Sequence, residues 1–166
     1  MAIKYTIKVE GLDKLKKAIA VAPQKTAEQL NLAIQKSIFT VQSNVIKNAP
    51  VNKGPGGGNL RQNIRATMLG AMRGKVESKA DYSTYVEAGT RPHIIKIKNK
   101  KVLAASARRS NGVPNSAGYV VFGKQVNHPG TRPTWFFKKG LENSQNTIEE
   151  HFQKAIEAVA NFLAGK

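Results

Sequence analysis

The chain has 166 residues, 27 Lys and Arg against 10 Asp and Glu, a formal charge of +17 and no cysteine. The length predicts a single domain, because a chain of this size buries roughly 70% of the surface that its unfolded form exposes. The lack of cysteine excludes a disulfide scaffold, a thiolate zinc site and a cysteine nucleophile. The positive charge predicts a nucleic acid or an acidic protein as partner, since net charge bears on partners rather than on fold.

The first part of the chain predicts one strand followed by two helices. Apolar and polar residues alternate over Ile3–Val9, which is typical of a half-buried strand. A helical period begins at Leu12, and Pro23 marks the start of a second helix that ends near Asn48, before Pro50. Its apolar face comprises Leu30, Ile34, Ile38, Val41 and Val45.

The segment from Val51 to Asn59 contains four glycines and a proline and predicts a flexible loop. It does not fit a nucleotide-binding loop. A P-loop requires Lys-Ser or Lys-Thr after its last glycine, whereas Asn59-Leu60 follows here.

The middle of the chain predicts a strand meander. The segments Asn63–Leu69, Lys75–Ala80 and Tyr82–Glu87 alternate in polarity, with a turn near Met72-Arg73-Gly74. A further strand is expected over His93–Lys98.

Within His93–Lys98 the alternation separates two faces. Ile95 and Ile97 predict an apolar face, and Lys96 and Lys98 a cationic one. Residues 99–118 have weak periodicity and several cations, and predict a long exposed basic loop.

The last part predicts a short strand over Tyr119–Phe122, a break at His128, and two helices over Thr134–Leu141 and Asn143–Leu163. The apolar face of the last helix comprises Ile148, Phe152, Ile156, Val159 and Leu163. The expected fold class is α+β, with an antiparallel curved sheet packed against N-terminal and C-terminal helices.

Residues for catalysis are scarce, so we expect no enzyme, no cofactor and no metal site. Asp13 and Asp81 are the two aspartates, and His93, His128 and His151 lack the spacing of metal ligands. We expect His93 and His128 to pack in loops and His151 to be solvated.

The aromatic run Trp135-Phe136-Phe137 is open to two interpretations. It is typical of an anchor in the core, and a platform for stacking nucleic-acid bases is the alternative. No recognisable RNA-binding signature or helix-turn-helix pattern accompanies it. No apolar run approaches the roughly 20 residues of a membrane span, so no membrane partner is expected.

The sequence Gly-Thr-Arg-Pro occurs twice, at Gly89–Pro92 and Gly130–Pro133. Both copies lie in a stretch from Ala88 to Leu141 that contains eleven Lys and Arg and no Asp or Glu. A tract of one charge sign repels itself, which predicts that it faces an anionic surface or solvent. At Gly89 and Gly130 we expect positive φ, with Pro92 and Pro133 fixing the exit of the chain; ordinary turns are the alternative.

Three motifs in order resemble a known family. They are Ala49-Pro50-Val51 followed by Gly58–Ile64, then the segment Tyr82–Thr90, and finally His128–Pro133 with the aromatic run and Leu141-Glu142. Together they are similar to tailed-phage proteins of the HK97 gp10-like neck or tail-completion type. The similarity extends from about Gly11 to Glu142 and departs from the family pattern at Asn52-Lys53 and at the glycine-rich segment 54–58.

The resemblance implies a virion protein that forms a homo-oligomeric ring in the neck or tail region, joins the connector to the tail and is made in the host cytoplasm. Its implied partners are neighbouring head-completion or connector proteins, tail or tail-terminator proteins and, without sequence preference, packaged double-stranded DNA. The residues expected at subunit interfaces or in the DNA channel are Arg91, Lys96, Lys98, Lys100, Lys101, Arg108, Arg109 and Arg132. For Glu87 the expected role is an ion pair with Arg91 or Arg132, within or between subunits.

A small basic protein that binds nucleic acid through charge alone is the alternative function. The sequence leaves open the number of subunits in the ring, its head or tail side, and whether DNA or acidic protein meets the basic surface.

Overall fold

A computed structural model describes residues 20–51, 58–98, 101–106, 115 and 118–164. The predicted strand Ile3–Val9, the helix that begins at Leu12 and most of the glycine-rich loop lie outside these residues. The chain forms two compact units, the first containing residues up to Ala88 and those from Thr134 on, and the second containing Gly89–Pro133. That they make one domain stays a prediction.

In the first unit, helix α1 spans Pro23–Asn48, as predicted. Proline suits the first helical turn because the N–H that it lacks has no partner there. The helix buries one stripe, and the cap residue Ala49 donates its N–H to the Val45 carbonyl at 2.9 Å, directly before Pro50. The buried stripe comprises Thr26, Leu30, Ala33, Ser37, Ile38, Val41 and Val45.

After the short helix α2 (Asn59–Gln62), strands β1 (Ile64–Met68) and β2 (Gly74–Ser78) pair antiparallel, with Ile64 opposite Ser78. This confirms the two predicted strands and the turn between them. Ile64 is fully buried, and its carbonyl accepts a hydrogen bond from Gln42 Nε2 at 2.9 Å. The β1–β2 pair is therefore tied directly to α1.

The expected strand over Tyr82–Glu87 is wrong: Ser83–Ala88 forms helix α3. The Val86 N–H donates to the Tyr82 carbonyl at 3.2 Å, and the turn buries Glu87 while Tyr85 stays exposed. Six residues fit a period of two as well as a single helical turn, so alternation alone could not distinguish them.

Helices α4 (Phe136–Glu142) and α5 (Gln145–Leu163) complete the first unit. Gly140 of α4 is buried, and a Cβ there would lie 2.7 Å from both the backbone nitrogen and the Cα of Val45. Helices α4 and α1 therefore approach each other at backbone contact distance. The core cluster comprises Val41, Val45, Ala49, Leu60, Ile64, Ala80, Phe136 and Ile148.

The predicted face of α5 is confirmed at Ile148 and Val159, which are buried, and is wrong at Leu163, which is 44% exposed. His151 on the same helix is half-buried rather than solvated, and its Nε2 lies 3.2 Å from the Thr40 hydroxyl. Burial, together with the positive charges of Lys36 and Lys154, lowers the pKa of His151 despite the opposing effect of Glu150.

The second unit consists of strands β3 (His93–Lys96), β4 (Leu103–Ser106), β5 (Tyr119–Gly123) and β6 (Gln125–His128). Strands β3 and β6 pair antiparallel, as do β4 and β5. The strand β4 corrects the prediction of an exposed loop over all of residues 99–118, and β6 was not predicted.

The fold class is α+β with N-terminal and C-terminal helices, as predicted. Where one antiparallel curved sheet was expected, the described residues form three two-stranded antiparallel sheets, β1–β2, β3–β6 and β4–β5.

Candidate interaction surface

The two copies of Gly-Thr-Arg-Pro pair with each other. Thr90 donates its N–H to the Thr131 carbonyl at 3.0 Å, and Thr131 donates its N–H to the Thr90 carbonyl at 3.1 Å. The two hydroxyl oxygens lie 3.1 Å apart. Three residues after Thr90 and three residues before Thr131, His93 lies opposite His128 in the β3–β6 pair. The two repeats therefore pair antiparallel with each other, and we call the pairing of Gly89–Pro92 with Gly130–Pro133 the crossing.

Both glycines of the crossing adopt positive φ, +72° at Gly89 and +84° at Gly130, as expected. Each packs on the backbone of the other copy. A Cβ on Gly89 would contact the Thr131 carbonyl oxygen and lie 2.8 Å from the nitrogen of Pro133. A Cβ on Gly130 would contact the Thr90 carbonyl oxygen and lie 3.1 Å from the nitrogen of Pro92. Glycine is required at both positions by conformation and by space.

The predicted division of His93–Lys98 into two faces is confirmed. Ile95 and Ile97 are half-buried, whereas Lys96 and Lys98 are exposed. Residues of β6 extend the exposed side, because Ile94 is opposite Asn127 and Lys96 is opposite Gln125. We define the cationic face as the exposed residues Ile94, Lys96, Lys98, Gln125 and Asn127.

The other predicted cations lie around the same unit. Arg91 and Arg132 are exposed and follow the paired threonines, and Lys101 is exposed just before β4. Lys124, a cation that was not among the predicted site residues, is exposed between β5 and β6. Lys100, Arg108 and Arg109 lie outside the described residues. By sequence, the second unit contains nine Lys and Arg and no Asp or Glu.

The two histidines of the second unit face each other across β3–β6, with ring centroids 5.0 Å apart. His93 donates from Nδ1 to the Arg91 carbonyl at 2.9 Å, and His128 Nδ1 accepts the Gly130 N–H at 3.1 Å. Each ring therefore fixes backbone next to the crossing. Among the described residues, no group of three or more His, Cys, Asp or Glu is placed to hold a metal ion.

In the first unit, Glu87 holds the start of α4. Its side chain is 1% exposed, with Oε2 accepting the Phe137 N–H at 2.8 Å and Oε1 accepting the Lys138 N–H at 3.1 Å. The first N–H groups of a helix have no partner within the helix, and a carboxylate there is favourable. The position of Glu87 just before the tract without acids was the available signal in the sequence. The expected ion pair with Arg91 or Arg132 stays a prediction.

Backbone contacts reinforce this attachment. The Val86 carbonyl accepts hydrogen bonds from the N–H and the hydroxyl of Thr134, at 3.1 and 2.8 Å, and the Glu87 carbonyl accepts the Trp135 N–H at 3.2 Å. Phe136 is fully buried, which confirms the core-anchor interpretation for that residue. Trp135 is 41% exposed, with Lys138 Nζ 6.0 Å from its ring centroid.

Comparison with known proteins gives one family match. Residues 13–89 match the model of the HK97-gp10-like family, described as "Bacteriophage HK97-gp10, putative tail-component". The match confirms the resemblance for the first two motifs and ends at residue 89, where the second unit begins, so the third motif lies outside it. No curated protein and no solved structure matched the chain. Within the described residues, no helix has both the length and the apolar character needed to cross a membrane.

Proposed function

Because residues 13–89 match a phage tail-component family, we propose that this protein is a virion structural protein of the head–tail junction, of the neck or tail-completion type. It forms a ring around the DNA channel and joins the connector to the tail. It acts through contacts between subunits rather than through catalysis. Its neighbours are head-completion or connector proteins on one side and tail or tail-terminator proteins on the other.

The second unit supports this proposal because its composition suits a surface that meets an anionic partner. Its nine cations stand without a carboxylate, and every described Lys and Arg in it is exposed. Glu87 and the Gly89–Gly130 crossing hold the two motif segments in place by backbone contacts. Such a surface suits electrostatic contact with a partner.

Particles assembled without the protein test the role. We expect negative-stain images to show filled heads without attached tails, or tails that end abnormally. Normal infectious particles made without the protein would refute the proposal. In particles containing it, cryo-electron microscopy should show a closed ring between head and tail.

Nucleic-acid binding through charge is the second candidate, favoured by the same nine cations. Binding to duplex DNA should then fall steeply with salt concentration, because each neutralised phosphate releases counterions. Replacing Arg108 and Arg109 by Ala should weaken binding further. A purified protein that does not bind DNA at low salt would exclude this candidate.

A further inference from the structure

Among the described residues of the second unit, none covers the cationic face. All five of its residues are exposed, and Ile94 at its edge is 56% exposed. A two-stranded sheet such as β3–β6 is marginally stable alone, and its stability increases when a partner covers a face. The mixture of an aliphatic side chain, two amides and two lysines fits a protein surface better than a phosphate backbone, whose outermost groups are anionic.

The same chain presents a complementary surface. On α5, Glu149, Glu150 and Glu157 are exposed, away from the buried residues Ile148, Ala155 and Val159, and Lys154 is exposed at their edge. Gln153 lies between them and donates from Nε2 to Glu157 Oε1 at 3.1 Å. We define the acidic face as Glu149, Glu150, Gln153 and Glu157. Three of the ten carboxylates of the chain lie on these two turns.

The two faces agree in length as well as in charge. Four residue steps from Ile94 to Lys98 span about 13 Å in an extended strand. Eight steps from Glu149 to Glu157 span about 12 Å along a helix. On the cationic face Lys96 lies opposite Gln125, and on the acidic face Gln153 lies between carboxylates, so lysines can meet carboxylates while the amides pair.

We propose that the cationic face of one copy docks on the acidic face of the next copy. Two different surfaces are joined, so the contact is heterologous and repeats head to tail around a ring. Copies of a molecule of charge +17 repel each other overall, and pairing the cationic face with the acidic face replaces repulsion by attraction at the contact. The inference rests on the proposed ring and names the surfaces that build it.

Charge reversal in matched pairs tests the docking. One variant carries Lys96→Glu with Lys98→Glu, a second carries Glu150→Lys with Glu157→Lys, and a third carries all four changes. Each double variant should weaken self-association, measured by sedimentation velocity over a range of protein concentration, by about tenfold or more. The quadruple variant should recover to within about threefold of the unchanged protein.

A control variant separates local pairing from net charge. Arg73→Glu with Lys79→Glu changes the net charge as much as the lysine variant does, at exposed positions of the first unit. It should not weaken association, since it relieves repulsion without touching either face. A double variant that behaves like this control, or a quadruple variant without recovery, overturns the inference.

Cross-linking identifies the contact directly, because the chain has no cysteine of its own. With Lys98→Cys and Glu157→Cys in one chain, oxidation of assembled particles should give a ladder of covalent oligomers. Either cysteine alone should give dimers at most. A cross-link that stays within one chain, or no ladder, overturns the docking.

These results are separable from the proposed function. Rings between head and tail that form normally in the charge-reversed variants leave the function standing and overturn the docking. Loss of duplex-DNA binding in the lysine variant, with unchanged association, assigns the cationic face to DNA and also overturns it. Normal particles made without the protein refute the function itself.

Discussion

Alanine at Gly89 or Gly130 should open the second unit far more than alanine at Gly123. All three glycines have φ between +72° and +84°, so the left-handed conformation costs an alanine about 1–2 kcal/mol at each. The surroundings differ. A Cβ at Gly123 meets no atom within 4 Å, whereas a Cβ at Gly89 or Gly130 collides with the backbone of the other Gly-Thr-Arg-Pro segment of the same chain.

The collision sets the expected magnitude. The obstructing atoms at Gly89 belong to the carbonyl of Thr131 and the backbone of Pro133, so no side-chain rotation relieves them. The strands must separate, which endangers the two backbone hydrogen bonds between Thr90 and Thr131, each contributing about 1 kcal/mol. We expect a total cost of about 3–4 kcal/mol at Gly89 or Gly130 and about 1–2 kcal/mol at Gly123.

Amide hydrogen exchange is the suitable assay because it measures opening of the second unit by itself. The Thr90 and Thr131 amides should lose protection in Gly89→Ala and Gly130→Ala by roughly a hundredfold or more, and the loss in Gly123→Ala should be about tenfold. Equal losses in all three variants would show that the left-handed conformation, and not the close approach of the two copies, makes glycine necessary.

Three further changes test the first unit. Glu87→Gln should lower the free energy of unfolding by about 1–2 kcal/mol and Glu87→Ala by more, measured by urea denaturation, because the start of α4 loses carboxylate acceptors; equal stability of all three proteins would contradict the capping role. Replacing a glycine in a helix by alanine normally stabilises the helix by about 1 kcal/mol. Gly140→Ala should instead destabilise the protein by several kcal/mol, because the new methyl group meets the Val45 backbone. A raised melting temperature would contradict this. The lowered pKa of His151 means that the unfolded chain binds its proton first, so stability should decrease as pH falls below about 6.5. His151→Gln should reduce that pH dependence, and an unchanged slope would contradict it.

The helices were predictable because their signals are local. Proline at position 23, apolar residues every three or four positions and Pro50 after the end are all legible in the sequence, and α1 follows them. The strands β4 and β6 were missed because their pairing is not local: Leu103–Ser106 is a short run of small residues that becomes a strand through its partner β5. A segment of four residues is too short for its hydrophobic pattern to predict such a pairing.

The candidate surface was predictable in composition but not in geometry. The sequence separates Ile95 and Ile97 from Lys96 and Lys98, and the structure keeps that separation. The sequence does not show that the two Gly-Thr-Arg-Pro segments pair with each other, since they are 41 residues apart. The N–H donors that Glu87 accepts from, on Phe137 and Lys138, are 50 and 51 residues away in the sequence. Charge alone suggested an arginine as the partner of Glu87, whereas a carboxylate buried beside the start of a helix favours backbone N–H groups as partners.

In the second unit, the interactions that hold the crossing are separate from the charges around it. Its crossing is held by backbone hydrogen bonds and by the close packing of two glycines, and by sequence it has no carboxylate to neutralise nine cations. Salt should therefore have opposite effects on the two properties of this unit. Screening reduces repulsion among the cations, so protection of the Thr90 and Thr131 amides should increase between low and moderate salt, while self-association through the cationic face should weaken. Protection that falls with salt would show that ion pairs with carboxylates outside the unit hold it together, and that its cations are already engaged before any partner arrives.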